Sequence, residues 1–345
     1  MRKRWKVLLV LALVLVIVAV AGGCWAWNKL TGAGANFSER SRILLVPTGA
    51  DFQTVVDSLD RLAAVGDERG FRWLSERKNY VDRVKPGRYR IPHGMSMNAL
   101  VNMLRAGEQE PVKLTFSNVD HLPELAGRAA RALEADSVAF LKTFTDPSLQ
   151  RAMGLSKATF ISLFVPNTYE FWWTTTPDEF IERMRKEHDL FWTEEREAQA
   201  RVHDLSTVEV ATLASIVQAE TMRMADAPRI AGVYLNRLRI GMPLQADPTL
   251  KFALGLDSVN RVLARDKAVD SPYNTYRHKG LPPGPINMPE PRFIDAVLSA
   301  EEHDYLYFCA RADLSGYSDF TRTYDQHLVN ARRYQRALNE RKIFR

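Results

Sequence analysis

The chain has 345 residues, 46% hydrophobic and 26% charged, with a formal net charge of +6. Those fractions are ordinary for folded proteins and exclude a disordered chain, while the length admits two or three packed units. Four of the positive charges, Arg2, Lys3, Arg4 and Lys6, sit in the N-terminal tail, so the remainder is only slightly basic and no nucleic-acid partner is expected.

In chain order, the basic tail over 1–6 precedes an uncharged run over 7–27, and at ~1.5 Å rise per residue that run matches the ~30 Å hydrocarbon core of a bilayer. It predicts one transmembrane helix and a single-pass protein of the cytoplasmic (inner) membrane. The basic flank predicts a cytoplasmic N-terminus and a periplasmic or extracytoplasmic remainder. A cleaved or lipidated signal is the alternative, because Ala21-Gly22-Gly23-Cys24 faintly resembles a lipoprotein processing site. Residues 28–40 are small and polar, the composition of a linker.

The expected fold class is α+β. A first module over 41–116 begins with a strand over 42–46 and a helix capped by Asp51 that presents Val55, Val56, Leu59 and Leu62. A strand over 88–91 follows the Lys85-Pro86-Gly87 turn. Ser96 caps a helix carrying Leu100, Val101 and Leu104, which Gly107 closes, and 112–116 is a further strand. Residues 117–204 read as a mainly helical connecting region, and 205–345 as an α+β domain with the densest polar motifs.

In that last region Ser206 and Glu209 form a capping box, with Leu205 placed to staple onto Val210, so a helix begins near Ser206. Leu213, Ile216 and Val217 precede Glu220 by seven, four and three residues and share its helical face. A carboxylate among apolar side chains is pushed toward its protonated form, which suits a general acid near neutral pH. The bland alternative is a helix-end carboxylate that is solvated or paired with Arg223 or Arg229. A second helix, capped by Asp226 and stopped by Gly241, turns Ile230, Val233, Tyr234 and Leu238 inward, and another begins near Pro291. With Cys24 in the apolar run, Cys309 has no partner, so no disulfide framework or thiolate cluster is expected. No His-Glu-x-x-His spacing occurs, and neither metal nor cofactor is expected.

Three stretches carry a specific likeness. They are Glu220 followed by Val233-Tyr234-Leu235-Asn236-Arg237-Leu238; Leu244-Gln245-Ala246-Asp247-Pro248-Thr249; and Ser271-Pro272-Tyr273-Asn274-Thr275-Tyr276 leading to Gly280-Leu281-Pro282-Pro283-Gly284-Pro285-Ile286. In this order they resemble the YceG-like family of endolytic murein transglycosylases. The likeness extends over nearly all of the chain after the apolar run, and Val84-Lys85-Pro86-Gly87-Arg88-Tyr89-Arg90-Ile91 resembles the family's LysM-like subdomain. The chain departs from the family at Asn167, where an acidic residue is common, and around Asp120, where a Pro-Glu-Gly is common.

The resemblance implies a membrane-anchored enzyme that cuts nascent peptidoglycan glycan strands internally, with peptidoglycan synthases as partners. It places the catalytic glutamate on Glu220. The expected reaction is cleavage of the β-1,4 bond between N-acetylmuramic acid and N-acetylglucosamine to leave 1,6-anhydro ends, with one carboxylate acting as acid and then base. Asn236, Gln245, Asp247, Thr249, Ser271, Tyr273, Asn274 and Tyr276 are the expected substrate-orienting side chains. Arg237 is offered to a substrate carboxylate or to a salt bridge, and Asn236 also reads as a backbone-bonded amide. A glycoside hydrolase would need a second carboxylate, Asp247 or Glu170. Before Pro248, Asp247 also reads as a turn residue. Glu170 stands in Tyr169-Glu170-Phe171-Trp172-Trp173, a sugar-stacking or a packing cluster. The proline loop 282–285 reads as a stiff wall of the sugar groove or as a turn. A non-catalytic wall-binding scaffold is the third reading.

Overall fold

The computed structural model describes residues 5, 11–23, 34–35, 37–117, 119–255 and 264–341. Near the N-terminus residues 5 and 11–23 are helical. Among the described residues no helix is long and apolar enough to cross a membrane. The expected transmembrane helix over 7–27 is therefore corrected, and with it the single-pass inner-membrane placement and orientation that rested on it. Residues 7–10 and 24–27 of that run, Cys24 included, lie outside the described residues.

The fold is mixed, with helices and three two-stranded sheets among the described residues. The chain divides into two compact units. The first comprises residues 1–113 with 132–135 and 170–175. Its strands β1 (Ser41–Val46) and β2 (Gly87–Pro92) pair antiparallel, with Ser41 opposite Pro92 and Val46 opposite Gly87. Between them lie α1 (Phe52–Arg61), where the Asp51 side chain accepts from the Thr54 amide at 2.8 Å, and α2 (Glu68–Arg77). The second of these helices goes beyond the sequence expectation, although Asp67 caps it by accepting from the Gly70 amide at 3.0 Å and Phe71 and Leu74 share its buried face. After β2, Ser96 caps α3 (Met97–Ala106), and Gly107 closes it in the left-handed region at φ 76°, where a residue without Cβ is unstrained. The core unites Leu44, Val55, Leu59, Phe71, Tyr89 and Leu100. Ala35 and Phe37, from the stretch read as a linker, are buried in it.

Strand β3 (Val112–Phe116) pairs with β4 (Asn167–Phe171). The second unit comprises residues 114–131, 136–169 and 176–345. Its helices α4 (Leu122–Ala132), α5 (Ser137–Phe144), α6 (Pro147–Ala152), α7 (Pro177–Phe191) and α8 (Glu194–Val202) precede α9 (Thr207–Glu220). Phe140, Phe144, Phe164 and Phe180 pack ring on ring, with centroids 5.4–6.4 Å apart.

Helix α9 starts at the expected capping box, with Glu209 accepting from the Ser206 amide at 2.8 Å. Every residue from Val210 to Val217 is buried, so the helix is a core axis with no polar face. Glu220 is thus distinguished by its place at the end of that axis more than by the face it shares. Helices α10 (Ala227–Arg239), α11 (Asp247–Leu254) and α12 (Pro291–Leu298) pack around it. The Ile286 amide donates to Ser215 Oγ at 3.0 Å, and Asn287 Nδ2 donates to the Ser215 carbonyl at 3.1 Å. The chain closes with the antiparallel strands β5 (Tyr307–Ala310) and β6 (Ser318–Thr321) and helix α13 (Tyr324–Glu340).

Candidate active site

Glu220 is the last residue of α9 and is partly buried. The Tyr234 hydroxyl, on a side chain only 1% exposed, donates to Glu220 Oε1 at 3.0 Å. Burial pushes the Glu220 carboxyl up to about 7; the Tyr234 hydrogen bond opposes this, the Asp247 charge adds to it, and the charges of Arg237 and Lys251 oppose it. The negative end of the α9 dipole also disfavours a carboxylate there. Neither arginine of the bland reading takes this side chain. Arg223 Nη2 donates to the Ser315 carbonyl at 2.6 Å, and Arg229 pairs with Glu301 at 2.9 Å.

Asp247 opens α11, and its Oδ1 accepts from the Tyr276 hydroxyl at 2.6 Å. Burial and this carboxylate together push the Tyr276 phenol up. Lys267 Nζ lies 4.4 Å from the Tyr276 ring centroid. Arg237, 7% exposed, donates from Nε to the Leu306 carbonyl at 2.7 Å and from Nη1 to the Leu244 carbonyl, so its hydrogen bonds hold backbone while its charge reaches Glu220.

The remaining expected residues separate into supports and rim. Thr249 is buried, donating to the Ala246 carbonyl at 2.7 Å and standing 2.9 Å from Thr275 Oγ1. Asn274 is buried and organises its own loop, donating to the carbonyls of Lys267 and Val269 at 3.1 and 2.8 Å and accepting from the Tyr276 amide at 3.1 Å. Ser271 Oγ accepts from the Tyr273 amide at 3.2 Å, and the Tyr273 ring packs 4.7 Å from Phe252. Gln245 is exposed, with a left-handed backbone at φ 53° that its amide holds by donating to the Thr275 carbonyl at 3.0 Å. Asn236 is the backbone-bonded amide of the alternative reading, donating to the carbonyls of His303 and Tyr305 at 2.6 and 3.1 Å.

Asp226 sits at the start of α10, but its carboxylate accepts from the Ser318 amide at 2.7 Å in place of capping the helix. Pro282 and Pro283 line a cavity of about 680 Å³ with Glu209, Leu235 and Leu238, at the opposite end of α9 from Glu220. Glu170 belongs to the first unit and faces Lys113 at 3.8 Å. The structure thus brings together Glu220, Asp247, Arg237 and Tyr276, and adds Tyr234 and Lys251, which sequence reasoning passed over. Tyr234 stands in the Val233–Leu238 stretch and faces inward, and the signal for its role is chemical, since a phenol turned into a core needs an acceptor for its hydroxyl.

Comparisons with known proteins cover most of the chain. A sequence model of the YceG-like family matches residues 44–333. An endolytic murein transglycosylase of Bacillus subtilis (strain 168) is 28% identical over 315 residues, covering 86% of this chain and 85% of the relative. The endolytic murein transglycosylase of Streptococcus pneumoniae (strain ATCC BAA-255 / R6) is 30% identical over 301 residues and 77% of this chain, and the match spans 53% of that longer protein. The crystal structure of a yceG-like protein from Listeria monocytogenes superposes with a TM-score of 0.58 at 28% identity, covering 85% of this chain and 99% of that one.

Proposed function

The chain belongs to the YceG-like family and is a lytic transglycosylase of peptidoglycan; we propose that Glu220 serves it first as acid and then as base. Protonated Glu220 gives its proton to the glycosidic oxygen as the bond from that oxygen to C1 of N-acetylmuramic acid breaks, and positive charge develops at C1. The C6 hydroxyl of the same sugar then closes on C1, and its proton returns to Glu220. The products are a free N-acetylglucosamine 4-hydroxyl and a 1,6-anhydro end, with no water consumed.

One observation carries this reading. Glu220 ends a helix buried all round and its carboxyl is pushed up to about 7, so both the protonated and ionised forms are within reach near neutral pH. Asp247 contributes negative charge that favours the oxocarbenium-like transition state. Gln245, Ser271 and Tyr276 orient hydroxyl and N-acetyl groups, while Arg237, Thr249 and Asn274 keep the surrounding loops in place. Internal cutting of nascent strands and association with peptidoglycan synthases belong to the same proposal and rest on the family resemblance.

Digestion of purified peptidoglycan followed by mass spectrometry tests the reaction. Muropeptides one water lighter than reducing-end products are the expected result. A digest containing reducing ends alone would overturn the lyase reading in favour of hydrolysis.

A further inference from the structure

We propose that Tyr234 is a positioning residue that gives the two oxygens of Glu220 different tasks: its hydroxyl holds Oε1 as a standing acceptor, and Oε2 releases and recovers the proton. This rests on the reading of Glu220 as acid and base.

The geometry is specific. Tyr234 lies within α10 with its ring set edge-on to Phe308, centroids 5.9 Å apart at 87°, and its hydroxyl donates to Glu220 Oε1 at 3.0 Å. A phenylalanine would fill the same apolar space, so the hydroxyl is accounted for by its acceptor and not by packing. Burial also pushes the phenol well above its ordinary range, so it stays a donor wherever Glu220 titrates. A hydrogen already pointing at Oε1 leaves no room for the carboxyl proton on the near side of that oxygen. The neutral acid therefore carries its proton on Oε2 and presents Oε1 as the carbonyl oxygen. After ionisation the same bond tightens, because an anionic acceptor binds a donor more strongly than a neutral one. Tyr234 thus fixes the rotation of the carboxyl through both half-reactions and eases proton release.

The groups that bear on the Glu220 charge are Tyr234, Arg237 and Lys251, which favour the ionised form, and Asp247, which opposes it. Tyr276 also interacts electrostatically with Glu220. Tyr234 is the one that donates a hydrogen bond to the carboxyl among the described residues.

The test compares pH profiles of turnover for Tyr234→Phe and for a variant with 3-fluorotyrosine at 234, a more acidic donor of nearly the same shape. Removing the donor disfavours the ionised carboxyl, so the Phe variant should move the alkaline limb up by about one pH unit. It should also lower kcat about tenfold with little change in KM. The fluorinated side chain should move that limb down. A purely structural tyrosine would lower the thermal midpoint and leave the limb in place, and unmoved limbs, or limbs shifted in one direction by both variants, would overturn the inference. If the Phe variant does not fold, the direction of the fluorotyrosine shift decides alone. Glu220→Gln separates the two levels: if it stays active the acid-base reading fails, and if it is inactive while Tyr234 moves nothing, only the present inference fails.

Discussion

The two ends of α9 carry the same side chain in opposite circumstances. Glu209, in the first turn, is exposed and accepts hydrogen bonds from the Ser206 amide and hydroxyl at 2.8 and 2.7 Å. It faces the positive end of the helix dipole, where a carboxylate stabilises the fold. Glu220, in the last turn, meets the negative end, loses much of its water and feels the charge of Asp247. One glutamate holds the helix together as a carboxylate, and the other is pushed by the fold toward its protonated form. The comparison teaches that what a carboxylate does in this protein is decided by hydration and by the sign of the local field, with residue type and helix held constant.

Changing each glutamate to glutamine breaks the comparison most directly. Glu220→Gln should reduce glycan cleavage about 10³-fold, as expected for loss of a general acid, while Glu209→Gln leaves turnover essentially unchanged. Quantifying anhydro products from purified peptidoglycan distinguishes them. The same variant has a stability signature whose sign follows from linkage. The folded state raises the Glu220 carboxyl from 4.5 to about 7, so it binds more protons than the unfolded chain between those values, and wild-type stability falls as pH rises through that window. The full shift corresponds to about 3 kcal/mol, which Glu220→Gln should not lose. Urea unfolding at pH 4 and pH 8 measures it, and equal pH dependence in both proteins would mean that Glu220 titrates normally.

The other end of the helix supplies the smaller effects. Ser206→Ala removes the side-chain half of the capping box and should cost about 1 kcal/mol in unfolding free energy, with pH dependence and turnover preserved. Asp247→Asn sharpens the account of the field at Glu220. Neutralising this exposed carboxylate should move the alkaline limb of turnover down by about half a pH unit, more at low ionic strength than at high. Complete loss of turnover in that variant would instead assign Asp247 the part of a second carboxylate.

Elements whose signals are local were legible before any coordinates. Asp51, Ser96 and Ser206 each cap the helix they precede, Gly107 closes α3 at positive φ, and β3 runs over the five residues anticipated for it. Where local signals misled, a distant partner competed. Asp226 resembles a helix cap, but its carboxylate is taken by the Ser318 amide, 92 residues away in sequence. Asn236, mid-helix, reads as a surface or backbone-bonded amide and as a sugar ligand only through the family resemblance, and it donates to the distant carbonyls of His303 and Tyr305. The apolar run near the N-terminus has the composition of a membrane span, yet among the described residues no helix is long and apolar enough to be one.

By itself the sequence determined where several helices begin, at Asp51, Ser96 and Ser206, which motifs travel together and that Glu220 stands at the close of an apolar helix, because capping and periodicity act between residues a few positions apart. Only the tertiary structure decided what surrounds that carboxylate. Tyr234, Asp247 and Tyr276 follow Glu220 at increasing distances along the chain, on α10, on α11 and in a later loop, and no short-range rule fixes their convergence. A proton affinity is set by all the dipoles, charges and water within several ångströms, and that neighbourhood exists only once the chain has folded.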